Sequence, residues 1–341
     1  MDDPQKILAL LPNWLGDAAM STPALRALHR RFPQAQITIA GRAATTKLLA
    51  GLPFVSNLIT LPPRPGLAAT IRAACRLRPY ARDLAIVFPH SFRSALLARL
   101  TGSRRRIGYA RGQRTFLLTD PVPPHRENGK ITPIYMAREY VDLLAPLGCT
   151  DDGLGLQLAA DPAAINAIKP RLDPARPHVG IAPGAAFGPS KLWPPQRYAQ
   201  VADALADHLN TQCVLLTGPG EETTRDAVRR AAKTSFVPLD GAGAGIDTLK
   251  AAVSLLDLLI GNDSGTRHVA VAFHVPTICI MGPTSPAYSN GPYETGQVLR
   301  VQVDCGPCQK TICTTDHRCM TQITTQSVIQ TALDILAKSP Q

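Results

Sequence analysis

The sequence predicts an α/β protein of two domains, each with a mainly parallel sheet. Short apolar runs alternate with segments of helical spacing through both halves of the chain, which is the order of strand–helix–strand units. Polar or glycine-rich turns follow most of the apolar runs. The length of 341 residues suits about two domains of roughly 150 residues each.

The first half begins with a strand, Lys6–Leu11, and a helical segment, Asp17–Arg31, which Pro23 is expected to kink or delay. The stretch Arg104–Tyr109 is predicted to lead into an edge strand. The other elements are predicted, in order, as strand Ile37–Ala40, helix Ala43–Ala50, strand Val55–Leu61, helix Leu67–Arg78, strand Leu84–Phe88, helix Ser94–Leu100 and helix Tyr135–Leu147.

The stretch Gly148–Pro177 is rich in Asp, Gly and Pro, includes a predicted helix at Ala163–Ile168, and is expected to join the domains. We predict domains at 1–160 and 161–322, and a closing segment at 323–341. The second series of elements is predicted as strand Val179–Ala182, helix Tyr198–Leu209, strand Cys213–Leu216, helix Thr224–Lys233, strand Phe236–Leu239, helix Thr248–Ser254, strand Leu255–Ile260, helix Thr266–Phe273, strand Thr277–Met281, strand Val298–Val303 and helix Val328–Ala337.

The turn Gly261–Gly265 separates an apolar strand from a short helix. Asp263 or Ser264 can cap that helix, and the free N–H groups of its first turn suit an anion. His268 follows Ser264 by four residues, so both side chains would share one helix face. A plain capped helix of an α/β unit is the alternative interpretation of this turn.

Two further glycine-rich turns in the second half follow strands, one at Pro183-Gly184 and one at Gly218–Gly220. Together with the turn at Gly261–Gly265 they predict a pocket of backbone N–H groups that suits a diphosphate. Neither G-x-G-x-x-G nor G-x-x-x-x-G-K-[ST] occurs, which disfavours a dehydrogenase or a P-loop enzyme. No Asp-x-Asp pair is present to hold a metal against the diphosphate, so Lys191 is expected to supply positive charge from a flexible loop. The alternative is an ordinary exposed lysine.

Asp17 immediately follows Gly16 at a predicted strand-to-helix turn of the first domain. A carboxylate at that position could accept the proton of a hydroxyl group that attacks a substrate. A structural role as a helix N-cap is the alternative for Asp17.

The positive charge of the chain is concentrated in its first half. Residues 1–150 hold 21 Lys and Arg against 8 Asp and Glu, a net charge of +13, while the whole chain has a net charge of +11. This imbalance favours an anionic partner such as nucleic acid, an acidic glycan or an anionic membrane surface. No basic–aromatic interleaving typical of a nucleic-acid module is evident, so nucleic acid is disfavoured.

The chain shows neither an apolar run near the ~18 residues of a membrane span nor a signal peptide at its start, and we expect a cytoplasmic protein. Four of its 8 cysteines cluster near the C-terminus, and in such a protein they are expected to be reduced or metal-bound. Their spacing admits a structural zinc site, with four reduced thiols in a loop as the alternative. The four are Cys305, Cys308, Cys313 and Cys319.

Four segments together resemble the ADP-heptose:lipopolysaccharide heptosyltransferases, glycosyltransferase family 9. They are PNWLGDAAMSTPALRAL, PGAAFGPSKLWP, GNDSGTRHVAVAFHVPTICIMGPTSP and CGPCQKTIC…HRCM. The resemblance covers nearly the whole chain, from Lys6 to the closing helix. The first segment and the terminal cysteines are more similar to the enzyme that adds the second heptose than to the one that adds the first.

The resemblance implies a GT-B fold, in which two Rossmann-like domains face a central cleft and residues 323–341 pack back towards the first domain. It implies inverting transfer of L-glycero-D-manno-heptose from ADP-heptose to the inner core of lipopolysaccharide, without a required metal. It also implies a peripheral location on the inner face of the inner membrane, with an anionic membrane surface as a partner.

The resemblance also implies roles for particular residues. Asp17 corresponds to the catalytic base, and Lys191 and His268 complete the catalytic set. The donor-binding set is Gly184, Glu221, Asp263, Ser264 and Gly265. The inner core carries carboxylates and phosphates. Some of the arginines near predicted strand ends are therefore expected to bind the acceptor, and others are expected to contact anionic lipid. These arginines are Arg42, Arg64, Arg93, Arg104, Arg105 and Arg106.

Two alternatives remain at this stage. One is a heptosyltransferase that acts on another core position. The other is a non-catalytic relative that binds a nucleotide sugar, although the joint presence of Asp17, Lys191 and His268 favours an enzyme.

Overall fold

A computed structural model describes residues 3–63, 66–239 and 245–338. The chain divides into two compact units, Met1–Ala159 and Ala160–Gln341. The roles predicted for the two domains, and the packing predicted for residues 323–341, are not decided by this division and stay predictions.

The first unit contains a six-stranded parallel sheet in the order β3-β2-β1-β4-β5-β6. Its strands are β1 Lys6–Leu10, β2 Gln36–Gly41, β3 Asn57–Thr60, β4 Leu84–Val87, β5 Arg105–Tyr109 and β6 Asp120–Val122. A short antiparallel pair, β7 Arg126–Glu127 and β8 Lys130–Ile131, follows the sheet.

The helices of the first unit are α1 Leu15–Met20, α2 Thr22–Arg31, α3 Ala43–Leu48, α4 Leu67–Leu77, α5 Phe92–Thr101 and α6 Met136–Asp142. Single 3₁₀ turns lie at Arg78–Tyr80, Thr115–Leu117 and Ala145–Leu147. Buried alanine and leucine side chains of α4 and α5 form a core with the strands that they cover.

The predicted helix Asp17–Arg31 is divided in two at Ser21. Pro23 lies in the first turn of α2, where its missing N–H is not needed, and its ring opposes a continuous helix through this point.

The prediction of an edge strand beginning near Arg104 was wrong. That segment is β5, and β6 lies outside it. Pro121 occupies the middle of β6, and a proline that cannot donate a ladder hydrogen bond is tolerated best on an edge strand.

The second unit contains another six-stranded parallel sheet, in the order β11-β10-β9-β12-β13-β14. Its strands are β9 His178–Ala182, β10 Gln212–Leu215, β11 Phe236–Val237, β12 Leu258–Asn262, β13 Thr277–Ile280 and β14 Gly296–Leu299. Numbered within each unit, both sheets have the strand order 3-2-1-4-5-6, which is that of a Rossmann fold.

The helices of the second unit are α7 Pro162–Ile168, α8 Pro195–Leu209, α9 Glu222–Ala231, α10 Ile246–Val253, α11 Gly265–Ala272, α12 Pro286–Ser289, α13 Arg318–Thr321 and α14 Thr325–Leu336. Single 3₁₀ turns lie at Lys169–Arg171 and Pro189–Lys191. The closing helix α14 buries Val328 and Ala332 in the same core as α8 and the second sheet.

Strand order reverses between β1 and β4 in the first sheet, and between β9 and β12 in the second. In open α/β sheets, ligands bind beyond the carboxyl ends of the strands at this switch point. Within the described ranges, no helix combines the length and the apolar character that a bilayer span requires.

Candidate functional site

Asn262 fixes the carboxyl end of the second sheet at its switch point. Its buried side-chain amide donates to the carbonyl of Pro183 at 2.7 Å, and its Oδ1 accepts from the hydroxyl of Tyr198 at 2.8 Å. The backbone N–H of Trp193 also donates to this oxygen, at 3.3 Å. The amide therefore holds the loop after β9, the start of α8 and the end of β12 together, a role that sequence reasoning missed.

Gly184 and Glu221, both predicted to bind the donor, lie against each other in the structure. A Cβ atom at Gly184 would overlap the carboxylate of Glu221, so a larger residue at this position would displace that carboxylate. Oε2 of Glu221 accepts from the backbone N–H of Gly218 at 2.7 Å, which holds the turn before α9 in place. The carboxylate is thus held at the carboxyl edge of the sheet, where it can accept from hydroxyl groups of a bound nucleotide.

Lys191 ends the 3₁₀ turn Pro189–Lys191 in the loop after β9. Its Nζ donates to Oδ2 of Asp263 at 2.6 Å and to the carbonyl oxygen of the same residue at 2.9 Å. Only 11% of the lysine side chain is exposed. The ammonium group therefore lies in an ion pair beside the glycine turn, and it is not a freely exposed loop cation.

The carboxylate of Asp263 has partners on every side. Arg267 lies 3.3 Å from Oδ1, and the hydroxyl of Thr284 donates to Oδ2 at 2.8 Å. Burial raises the pKa of Asp263, but the positive charges of Lys191 and Arg267 outweigh it and hold this pKa well below its usual range. Asp263 is therefore ionised, and its oxygens accept from Lys191, Arg267 and Thr284 and do not cap α11.

Arg267 extends this network away from the turn. Its side chain, 2% exposed, forms an ion pair with Glu294 and donates to Oδ1 of Asn290 at 2.8 Å. The positive charges of Lys191 and Arg267 balance the negative charges of Asp263 and Glu294 in this network. Sequence reasoning missed Arg267, Asn290 and Glu294. Arg267 falls within the recognised motif, but nothing near Asn290 or Glu294 in the sequence marks either as its partner.

His268 lies on α11 with only 3% of its surface exposed. Burial, helped by the nearby charge of Arg267, lowers the pKa of His268 to about 3, so the ring is neutral at pH 7. Its buried Nδ1 has no hydrogen-bond partner among the described residues. A buried nitrogen without a partner is costly, and a ligand that bonded to it would remove that cost.

Ser264 and Gly265 begin α11 and are half-buried. The hydroxyl of Ser264 makes no capping hydrogen bond, so it stays available. The backbone N–H groups of this first turn have no partner within the helix, and they lie next to the Lys191–Asp263 pair. This arrangement suits the phosphate groups of a nucleotide.

The segment after β14 holds the loop that carries Lys191. Ser190, which is 2% exposed, donates from its backbone N–H to the carbonyl of Thr311 at 3.1 Å and from its hydroxyl to that of Lys310 at 2.6 Å. Nε2 of His317 lies 2.6 Å from the carbonyl oxygen of Ser190, so this nitrogen is the donor. Three bonds thus fix the residue next to Lys191, which the sequence alone did not indicate.

The same segment contains the four clustered cysteines, all as free thiols. Cys305 is exposed, Cys308 and Cys313 are half-buried, and Cys319 is buried. No group of three or more potential ligands in the described residues is arranged to hold a metal ion. As placed, the thiols do not form a zinc site, and the zinc site stays a prediction.

Asp17 lies in the first turn of α1, shortly after β1, and is half-buried. Its charge acts on Tyr140 of α6. Burial raises the pKa of this tyrosine far above its ordinary value, and the carboxylate of Asp17 raises it further. Because α1 follows the carboxyl end of β1, Asp17 lies near the carboxyl edge of the first sheet.

A cavity of about 550 Å³ opens at the carboxyl ends of β1, β2 and β4 in the first unit. Arg42 and Arg93, two of the predicted acceptor ligands, line it together with Asn13, Ser91 and Ser94. The rest of the lining is mainly apolar.

Arg104, Arg105 and Arg106 lie elsewhere, because the start of β5 is in register with the start of β4 at the amino edge of the sheet. Arg105 pairs with Asp120 at 2.7 Å, and Arg106 donates to the carbonyl of Leu117 at 2.9 Å. The acceptor role of these three stays a prediction, and Arg64 lies outside the described residues.

Comparison with known proteins agrees with this geometry. Residues 70–318 match the model of "Glycosyltransferase family 9 (heptosyltransferase)". The chain is 30% identical to lipopolysaccharide heptosyltransferase 2 of Escherichia coli K12 over 311 residues, which cover 87% of this chain and 88% of that protein.

Two solved structures are similar over nearly all of the chain. The ADP-heptose lipopolysaccharide heptosyltransferase II of E. coli has a TM-score of 0.78 at 27% identity and covers 98% of this chain and 99% of its own. A family 9 glycosyltransferase from Veillonella parvula has a TM-score of 0.84 at 22% identity and covers 99% of both chains. The predicted α/β fold of GT-B heptosyltransferases is thereby confirmed, and the chain is a glycosyltransferase that belongs to family 9, the heptosyltransferases.

Proposed function

We propose that this enzyme transfers L-glycero-D-manno-heptose from ADP-heptose to the inner core of lipopolysaccharide, where it adds the second heptose. The observation that carries the proposal is the cluster of Lys191, Asp263 and His268 beside the first turn of α11. It joins N–H donors, a cation and an unpartnered imidazole nitrogen at the switch point of a Rossmann-like sheet. That combination suits the diphosphate and sugar of the donor.

The donor would enter by competing with Asp263 for the ammonium group of Lys191. The charges of the network balance in the described residues, so the diphosphate gains a cationic partner when Lys191 turns an N–H group from the carboxylate to the phosphate oxygens. The N–H groups of the first turn of α11 and the side chains of Ser264 and His268 complete the binding. Glu221 contacts the ribose or the adenine.

In the proposed reaction, the carboxylate of Asp17 accepts the proton of an acceptor hydroxyl group while that oxygen attacks the anomeric carbon of heptose. The bond from this carbon to the diphosphate breaks, ADP leaves from the opposite face, and the configuration inverts. Lys191 and the start of α11 stabilise the charge that develops on the leaving diphosphate. These protein groups can supply the charge stabilisation that the reaction needs.

Arg42 and Arg93 are proposed to bind acidic groups of the acceptor at the cavity of the first unit. Two cations at the mouth of a cavity can pair with the carboxylates and phosphates of an inner core. Because such an acceptor is anchored in lipid, we place the enzyme on the cytoplasmic face of the inner membrane as a peripheral protein.

Release of ADP from ADP-heptose, measured with defined truncated cores, tests the proposal. A core with one heptose should support turnover, and cores with no heptose or with two heptoses should not. Turnover only with a different core would assign the enzyme to another position. If ADP-heptose binds but no core supports ADP release, the protein is a non-catalytic relative.

Metal analysis of the purified protein would decide whether the cysteines bind zinc.

A further inference from the structure

Helix α4 exposes apolar side chains although its opposite face already packs in the core. Thr70, Ala73, Ala74 and Leu77 form the buried face. On the outer face, Leu67 is 67% exposed and Ile71 is 45% exposed. Cys75, one turn further on, is also exposed. These outer positions are four residues apart and form one apolar stripe along the helix.

Two exposed aromatic side chains lie at the same edge of the sheet. Helix α5 packs against α4, and both helices begin at the carboxyl edge. Phe92, in the first turn of α5, is 47% exposed, and Phe116 is 74% exposed. Their ring centroids are 6.1 Å apart. Single exposed apolar residues are ordinary, but two packed helices and the 3₁₀ turn Thr115–Leu117 that together expose four large ones indicate a contact surface.

The exposed charges in the part of the chain that contains α4 and α5 have one sign. Residues 67–104 contain seven arginines, all exposed, and a single acidic residue, Asp83. The Asp83 carboxylate already accepts from the backbone N–H groups of Gln5 and Lys6, at 3.0 Å each. Arg72 and Arg76 follow the apolar stripe of α4 directly, each one position after an exposed apolar residue.

We propose that the outer face of α4, with Phe92 and Phe116, is the surface by which the enzyme docks on an anionic lipid bilayer. Leu67, Ile71 and the two phenylalanines enter the headgroup region, while Arg72 and Arg76 pair with lipid phosphates. An apolar stripe beside a basic one is the pattern of a helix that lies in a membrane interface. The charge complementarity favours anionic lipid over a second copy of this equally basic surface.

This proposal rests on the proposed function, because a lipid-anchored acceptor requires the enzyme to work at a membrane. The cavity lined by Arg42 and Arg93 also contains Thr70, Ala73 and Phe92, so the docking helices form part of its wall. Docking through α4 would therefore bring the cavity to the headgroup level, where the core sugars begin.

Sedimentation of the full chain with lipid vesicles tests the proposal. The wild type should bind vesicles of phosphatidylethanolamine and phosphatidylglycerol, and should not bind phosphatidylcholine alone. The double variants Leu67→Gln/Ile71→Gln and Arg72→Gln/Arg76→Gln should each weaken binding on the order of tenfold. Glutamine keeps helix propensity, so far-UV circular dichroism should not change.

Matched controls come from the same chain. Leu154 is 67% exposed, as Leu67 is, and Leu154→Gln should bind vesicles like the wild type. Arg229 and Arg230, exposed on α9, serve as the arginine control in Arg229→Gln/Arg230→Gln. Equal loss in the controls, or full binding by the α4 variants, would overturn the proposal. So would a wild-type dimer that the α4 variants dissociate in sedimentation velocity.

An assay with a de-acylated, water-soluble acceptor separates this proposal from the proposed function. The α4 variants should release ADP at the wild-type rate in that assay. If the wild type releases no ADP with any soluble core, the proposed function fails, whatever the vesicle result. If activity is present but vesicle binding does not depend on α4, only the docking surface is wrong.

Discussion

Lys191 and Asp263, 72 residues apart in the chain, form a nearly buried ion pair with 2.6 Å between Nζ and Oδ2. The cation assigned to the diphosphate is thus already paired with the carboxylate of the motif that follows β12. This pairing holds the loop after β9 at the switch point of the second sheet. In the proposed function, the phosphate oxygens would therefore share or take over hydrogen bonds that Lys191 now makes to Asp263.

Lys191→Met should weaken donor binding. The variant removes the charge but keeps most of the side-chain volume, so the lost bonds to phosphate should raise the donor KM by on the order of thirtyfold, about 2 kcal/mol. Steady-state kinetics with varied ADP-heptose measures this. The exposed Lys233 provides the control variant Lys233→Met. An unchanged donor KM in a folded Lys191→Met enzyme would remove Lys191 from the site.

Asp17→Ala should lower turnover by about 10²–10⁴-fold, the contribution of one general base. ADP binding, measured by calorimetry, should stay nearly unchanged because the donor cluster lies on other residues. Asp3→Ala, at an exposed carboxylate, should leave both quantities at the wild-type level. Loss of ADP binding or unfolding of Asp17→Ala would contradict the assignment of the base.

Arg42→Ala and Arg93→Ala should each raise the acceptor KM about tenfold, because each loses a charged hydrogen bond. The donor KM should not change. Arg229→Ala, at an exposed arginine on α9, should leave both values unchanged. If Arg229→Ala weakens acceptor binding as strongly as the two cavity variants do, the loss reflects the overall charge of the protein and not the cavity.

His268 should make folding stability depend on pH. Burial lowers the pKa of His268 to about 3, against about 6.5 in an unfolded chain. Between these two pH values the unfolded chain binds more protons than the folded protein. The contribution of neutral His268 to the free energy of unfolding is therefore full above about pH 6.5 and is lost as the pH falls towards 3. His268→Gln should therefore lose less unfolding free energy between neutral pH and mild acid. Chemical denaturation at several pH values measures this.

The control for that experiment is His208→Gln, at an exposed position on α8. Its pH profile should follow that of the wild type. A wild-type profile that is flat in mild acid, or a His268→Gln profile as steep as the wild type, would count against a buried neutral imidazole.

His317 is expected to act as a positioning residue through Ser190. His317→Ala removes the bond to the Ser190 carbonyl and should raise the donor KM about fivefold, with a smaller change in kcat. His317→Gln retains an N–H donor and should restore much of the loss. The role would be disproved by an alanine variant with a normal donor KM, or by a glutamine variant as impaired as a folded alanine variant.

Much of the fold follows from local patterns. The apolar runs that precede Gly41, Gly184 and Gly261 are strands, and the intervening segments of helical spacing are helices. Pro23 divides the first helical segment, where a kink or a delayed start was expected. The missed strand β6 also has a local cause, because its three residues with Pro121 are too short and too polar to show a strand pattern. The site motifs were found because their residues are adjacent in the chain, as Asp263, Ser264 and Gly265 are.

By itself, the sequence determined the α/β class, the alternation of strands and helices, the family and the motifs that contain the candidate site residues. The fold class and the order of elements follow from periodicity, and the family follows from short motifs. Both signals are carried by residues that lie close together in the sequence. Only the tertiary structure decided that Lys191 is paired with Asp263, that His317 holds Ser190 from 127 residues away, and that Arg42 and Arg93 share a cavity that Arg104 does not. Such contacts depend on the order of strands in a sheet, and no local pattern records which distant residues that order brings together.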